Sequence, residues 1–115
     1  MSEWWEATRD HRLLLQHCDG CGSVQHYPRA LCITCGSSDL SFREAVGTGV
    51  VDSFTVVHRA GEPYVLARVR LTEGPILLTH LDDIAEPRCD MPVLLAWRPL
   101  PDGRHLPVFR SADGL

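Results

Sequence analysis

Residues 18–38 read CDGCGSVQHYPRALCITCGSS: two Cys-x-x-Cys pairs, Cys18 with Cys21 and Cys32 with Cys35, ten residues apart in a chain of 115. Each second cysteine is followed by glycine, Gly22 and Gly36. Two residues between thiolates let one tight turn aim both sulfurs at a single ion, and glycine supplies the φ > 0 geometry that such turns often need. Two knuckles together offer four soft ligands. That set satisfies tetrahedral Zn²⁺ completely and leaves no open position at which the metal would activate water. The stretch reads as a structural zinc site. Its competitors are iron held by the same four thiolates, a redox-active Cys-x-x-Cys, and cysteines with no metal.

A metal matters more in a short chain. With 115 residues there is one ordinary domain or two very small ones to offset the entropy of folding. Hydrophobic residues make up 44% and charged residues 23%, a globular composition far from that of disorder. No apolar run approaches the ~20 residues needed to span a bilayer. The opening MSEWWEATRDHR is acidic and aromatic, unlike a secretory leader. A cytoplasmic chain without membrane contact is therefore expected, and in that compartment closely spaced thiols favour a metal over disulfides.

Charge narrows the partners. Fifteen acidic residues oppose eleven basic ones, a formal net charge of −4, and four metal-bound thiolates with one Zn²⁺ would make the chain two units more negative. That is a poor footprint for binding a phosphate backbone. All eleven basic residues are arginine, which excludes a Schiff-base lysine and a P-loop lysine.

Outward from the cysteines, the organisation is legible. Ser2 is placed to cap a helix over residues 3–11, with Glu3 and Glu6 at its positive end and Trp4 and Trp5 at its start. RLLLQH (12–17) reads as the strand entering the first knuckle and DLSFREAVG (39–47) as the strand leaving the second. His17 and His26 adjoin four cysteines that already complete a site, so they read as neighbours of the metal or surface residues. From residue 47 the pattern is all-β: GVVDSFTVVHR, YVLARVRLT, PILLTHL, PVLLAWRPL and HLPVFRS are five β-branched or aromatic runs separated by AGEP, EG, DDIAEPRCDM and PDGR. In the second run Val65, Ala67, Val69 and Leu71 alternate with Tyr64, Leu66, Arg68 and Arg70, one core face and one carrying cations. Five short strands in this order predict an OB-type barrel. Cys89 stands apart and reads as a small buried residue. The predicted division is 1–45 for helix and ribbon and 46–115 for the barrel. A zinc ribbon with an OB barrel raises nucleic-acid binding as the alternative function, but the aromatics are not interleaved with a basic stripe.

Trp5 before a short helix, LLLQHCDGCG, HYPRALCITCGSSDL, GTGVVDSFTVVHR, PYVLARVRLTEGP and LPVF together resemble a bacterial and archaeal family with a rubredoxin-like zinc ribbon and an OB-fold, long catalogued as a domain of unknown function. The resemblance covers nearly the whole chain. It departs at CDMPV, where Cys89 and Asp90 stand in place of an apolar residue and a glycine. The resemblance implies a mainly β protein with an N-terminal short helix, a rubredoxin-like zinc ribbon and a C-terminal five-stranded OB-fold barrel. It also implies a non-catalytic accessory subunit of a hetero-oligomer, docked on a thiolase-like enzyme, an aldolase or acyltransferase, and helping to form its acyl-CoA channel. No Gly-x-Ser-x-Gly elbow or Gly-rich phosphate loop is found. On this reading Arg29 and Tyr27, with Arg68 and Arg70, are candidates to meet the acyl-CoA, while Trp4, Trp5 and Pro28 are candidates for the partner interface. One of the two tryptophans is expected to fold back on the chain's own core. His58, at the end of the first barrel strand, is a candidate for lining the passage, against a structural or solvent-facing role.

Overall fold

The computed structural model describes residues 2–58, 61–84 and 86–112. Arg59 at the end of the first barrel run, Ala60 and Ala85 in the predicted turns, and the capping side chain of Ser2 lie outside the described residues.

The helix is shorter than its sequence suggests: α1 spans Ser2–Ala7 and a single 3₁₀ turn, Thr8–Asp10, follows it. The Thr8 hydroxyl donates to the Trp5 carbonyl at 2.6 Å, and His11 takes the left-handed region at φ 57°, which ends the helix. Three strands then build the ribbon: β1 (Leu14–Cys18), β2 (Val24–Gln25) and β3 (Leu40–Glu44), in the order β2-β1-β3 with both pairings antiparallel. The central β1 is buried at Leu14, Leu15, Gln16 and Cys18. A strand covered on both faces reads as a continuous apolar run, as LLLQH does.

The barrel comprises β4 (Thr48–Val57), β5 (Tyr64–Leu71), β6 (Ile76–Leu81), β7 (Pro92–Pro99) and β8 (His105–Ser111). They close in the order β4-β5-β6-β8-β7, giving the OB-fold. Along β5, Ala67, Val69 and Leu71 are buried while Tyr64, Arg68 and Arg70 face outward. β4 crosses β5 so closely at Gly49 that a Cβ there would lie 2.6 Å from the Arg70 carbonyl oxygen, so only glycine fits. The ladder is weakest between β6 and β8, which run parallel and share one registered pair, Leu81 with Phe109.

At CDMPV, Asp90 adopts φ 63° and its N–H donates to the Val51 carbonyl at 2.7 Å. Aspartate tolerates this left-handed turn position, so the departure from glycine is absorbed locally. Cys89, expected to be buried, is exposed: it sits in the turn that this bond pins to β4, and its side chain is left outside the barrel.

Ribbon, helix and barrel share one core. Trp4 and Ala7 of the helix and Leu13–Leu15 join Val51, Val69, Leu77, Val93 and Phe109 of the barrel in a single apolar cluster. Thr8, fully buried, fastens the two: its hydroxyl accepts from the His105 N–H at 3.1 Å, and its carbonyl lies 2.9 Å from His105 Nδ1. Arg9 adds a bond to the Asp102 carbonyl at 2.8 Å, so the helical turn is tied to the β7–β8 hairpin.

Candidate functional site

The two knuckles are built alike. The Cys18 N–H donates to Ser23 O and the Gly22 N–H to Cys18 O; the Cys32 N–H donates to Ser37 O and the Gly36 N–H to Cys32 O, with the same pair of distances, 2.8 and 2.9 Å. Gly22 and Gly36 both sit at φ 78°. All four sulfurs lie within 4.8 Å of one another, with Cys18–Cys35 at 3.6 Å and Cys21–Cys32 at 3.7 Å. A tetrahedron with Zn–S of about 2.3 Å has edges of about 3.8 Å. The geometry therefore fits zinc.

Electrostatics make the same point. Hydrogen bonding between Cys21 and Ser23, through the side chain first and then the backbone, holds the Cys21 thiol down at about 6. The Ser37 backbone bond lowers Cys35, but the neighbouring sulfurs outweigh it and push that thiol up to about 12. Four thiolates so close cannot all ionise without a cation among them. A Zn²⁺ ion held by Cys18, Cys21, Cys32 and Cys35 would supply the charge that lets all four bind as thiolates.

Between the knuckles, two buried glutamines that the sequence reading passed over hold the loop. Gln16, on β1, accepts from the Arg29 N–H at 2.8 Å and donates to the Arg29 carbonyl at 2.9 Å, in the manner of a paired strand. Gln25, on β2, donates to the Gln16 side chain and accepts from the Ile33 N–H at 3.1 Å. The signal for them was slight: an amide inside an apolar run, LLLQH, and another two residues before YPR.

Beside this loop lies a cleft of about 280 Å³. Trp4 and Trp5 of the helix, His26 and Tyr27 of the loop, Leu66 of β5, and residues of β6 and β8 line it, with no carboxylate and no arginine among them. Trp4 and Trp5 meet edge to face at 4.8 Å, and Trp4 lies 5.6 Å from the His26 ring. Trp4 is only 5% exposed, and its indole Nε1–H makes no hydrogen bond; both ring nitrogens of His26 are likewise buried without a partner. Burial holds the His26 pKa down to about 4, so the imidazole is neutral at pH 7.

Comparison with known proteins now identifies the chain's relatives. A family model described as "ChsH2, rubredoxin-like zinc ribbon domain" matches residues 5–41, and a second, "ChsH2, C-terminal OB-fold domain", matches residues 42–98. The chain belongs to the ChsH2 family. It is 42% identical over 116 residues to a "probable enoyl-CoA hydratase alpha subunit" of Thermomonospora curvata, a match that covers 95% of this chain and 36% of that protein. It is 32% identical over 91 residues to a "DUF35 domain-containing scaffold protein" of Pyrococcus furiosus, covering 73% of this chain and 66% of that one. The chain thus spans about a third of the first of these relatives and just under two thirds of the second. Among solved structures, the "Ltp2-ChsH2(DUF35) aldolase" includes a chain of 42% identity that superposes with a TM-score of 0.89, covering 96% of this chain and 93% of that one. A Sulfolobus solfataricus protein of unknown function from the DUF35 family, at 14% identity and TM-score 0.73, shares the fold.

Within this ChsH2-family chain the candidate residues fall into distinct places. Trp4, read as an interface anchor, is instead part of the core, because α1 packs that face against the barrel. Trp5 is half-buried at the cleft, with the Arg104 guanidinium 5.4 Å above its ring. Tyr27 is 49% exposed, Pro28 half-buried, and Arg29 exposed. Arg70 is taken up by Asp52 at 2.6 Å, whereas Arg68 borders a shallow hollow of about 170 Å³ on the outer face of the barrel. Leu66 and Leu78 line both that hollow and the cleft, so Tyr27 and Arg68 lie along one surface; Arg29 and Arg70 line neither. His58 is exposed just beyond β4, and His17 lies on β1.

Proposed function

We propose that the chain is a non-catalytic accessory subunit that docks on a thiolase-like enzyme, an aldolase or an acyltransferase, and helps form the passage by which acyl-CoA reaches that enzyme's active site. The observation that carries this reading is the near-complete match, at 42% identity, to a chain of the Ltp2-ChsH2(DUF35) aldolase. The hydratase-named relative from Thermomonospora curvata supports it, because there a similar unit forms part of a protein named for a CoA thioester. The surface is consistent with docking: Leu31 and Ile33 on the second knuckle, Tyr27 on the loop and Leu78 on β6 are large apolar side chains left in water. Trp5 and Pro28 border the same region and are the interface residues we favour.

In this role the metal is a brace. Zinc fixes the knuckles, the two glutamines fix the loop, and Arg29 is presented from rigid backbone with its guanidinium free to pair with a phosphate or carboxylate. Arg68 is the second such cation. Arg70 already holds an exposed ion pair, worth about 0–1 kcal/mol, and would have to exchange partners to contribute.

The test is turnover by the thiolase-like subunit with and without this chain. Activity on the CoA thioester should depend on the complex, and Arg29→Ala should raise the KM for the thioester about tenfold while leaving assembly intact. Full activity of the enzyme subunit alone would refute the reading. Loss of assembly in Arg29→Ala would move this arginine from substrate to interface.

A further inference from the structure

The barrel is closed, but the ribbon sheet is not: in the order β2-β1-β3, one side of β3 is a free edge. The Ala45 N–H donates to the Leu13 carbonyl at 2.7 Å and the Asp19 N–H to the Asp39 carbonyl at 2.8 Å. Bonded pairs in an antiparallel ladder fall on alternate residues, so Ser41 and Arg43 bond β1 while Phe42 and Glu44 turn their N–H and C=O groups away from it. Those four groups find no partner among the described residues. Edge strands are usually blunted by proline, a bulge or unpaired charge. β3 has neither proline nor bulge, and its two charges are paired off, Glu44 with Arg12 at 3.1 Å and Arg43 with Asp19 at 3.5 Å. Beside it, Phe42, Leu14 and Ala7 line a groove of about 300 Å³ shared by the carboxylates of Glu3, Glu6 and Asp10 and a single cation, Arg12. Glu6 is held by Arg9 at 2.8 Å; Glu3 and Asp10, both exposed, have no cation partner among the described residues.

We propose that an extended segment of a protein partner, with lysine or arginine at alternate positions, adds to β3 as a fourth strand of the ribbon sheet. The backbone of Phe42 and Glu44 supplies the main-chain bonds of strand addition, and the groove supplies the selectivity. Residues directly opposite one another in an antiparallel pair share a face. The partner residue bonded to Phe42 therefore points its side chain into the groove, laying an aliphatic stem over Phe42 and bringing its charge to Glu3 or Asp10. A phosphate or other anion would be repelled by the same carboxylates. A second copy of the chain is a poor occupant, because its alternating cations, Arg68 and Arg70, lie on β5, which is bonded on both sides within the barrel. Trp5 and Tyr27 line the cleft and not this groove, so the contact is separate from the docking surface described above and independent of the accessory role.

The probe is the peptide acetyl-Lys-Thr-Lys-Thr-Lys-Thr-amide, titrated into the zinc-loaded full chain and followed by NMR. The Phe42 and Glu44 amide protons should shift downfield, saturate and gain protection from exchange, while those of Ser41 and Arg43, already bonded to β1, stay still. Because the lysines face the groove, their amides are the ones that bond β3: N-methylation at the lysines should abolish binding and N-methylation at the threonines should leave it. Glu3→Gln with Asp10→Asn, both at exposed positions, should weaken binding about fivefold. A peptide with glutamate in place of lysine should not bind. No saturable shift at Phe42 and Glu44, or equal binding by the lysine-methylated peptide, would overturn the proposal. So would an equal effect of spermidine, which would make the groove a mere acidic surface, or shifts at Phe42 and Glu44 that follow the chain's own concentration without peptide, which would give the edge to a second copy.

Discussion

His26 lies under enough protein that its charged form is disfavoured, and its pKa falls from the ordinary 6.5 to about 4 because of that burial. The folded state therefore binds fewer protons than the unfolded chain between these two values. Stability is fully present above about pH 6.5 and is lost as pH falls toward 4. At 1.36 kcal/mol per unit the loss is about 3 kcal/mol at most, less for the part of the ring that solvent still reaches. Denaturant melts of wild type and His26→Phe should diverge over that window, and parallel curves would contradict the burial argument. Gln16 is a second residue with a large local effect: Gln16→Leu strands the Arg29 N–H and carbonyl, and should cost about 1–3 kcal/mol with increased amide exchange confined to residues 26–33. Gln16 did not stand out in the sequence, and His26 read there only as a neighbour of the metal or a surface residue, because a buried polar group is recognisable only from what it touches. The cysteines did stand out, because their spacing alone forces the turn geometry.

The ribbon and the barrel differ in what makes them legible. In the barrel, alternation along YVLARVRLT maps onto buried and exposed faces from Ala67 to Leu71, while Val65 and Leu66 near the strand's start are both half-buried. In the ribbon, β2 has two residues, too few for any period, and its place is set by its pairing with β1. The helix was overextended in the sequence reading because the Thr8 hydroxyl takes the Trp5 carbonyl and His11 turns left-handed, a capping event invisible to composition. Since β1 and the helix feed the same core as the barrel, metal loss should spread beyond the knuckles. Zinc-finger peptides owe about 10 kcal/mol or more to their metal, and with barrel contacts sharing the burden we expect several kcal/mol here. Chelation under reducing conditions should lower the melting temperature and expose β1–β3 amides to exchange, with recovery on adding Zn²⁺. An unchanged melt after verified metal removal would contradict the structural role.

Charge across the whole molecule separates the two functions open to a ribbon joined to an OB barrel. Arg9, Arg12, Arg43, Arg70, Arg98 and Arg104 each pair with a carboxylate, so much of the basic charge is neutralised at home. Exposed alongside Arg29 and Arg68 is a set of apolar side chains on the knuckle, the loop and β6, a surface suited to protein better than to a phosphate backbone. The sequence could announce the family from its cysteines and strand order. It could not announce the cleft, which depends on α1, the loop after β2, and strands β5, β6 and β8, segments that meet only in the folded chain. The measurement to make first is affinity isolation of the tagged chain from its own cells, with mass spectrometry and quantified stoichiometry. A thiolase-like subunit in fixed ratio to this chain is the predicted result. Stoichiometric nucleic acid, or the chain recovered alone from cells that express such an enzyme, would contradict it.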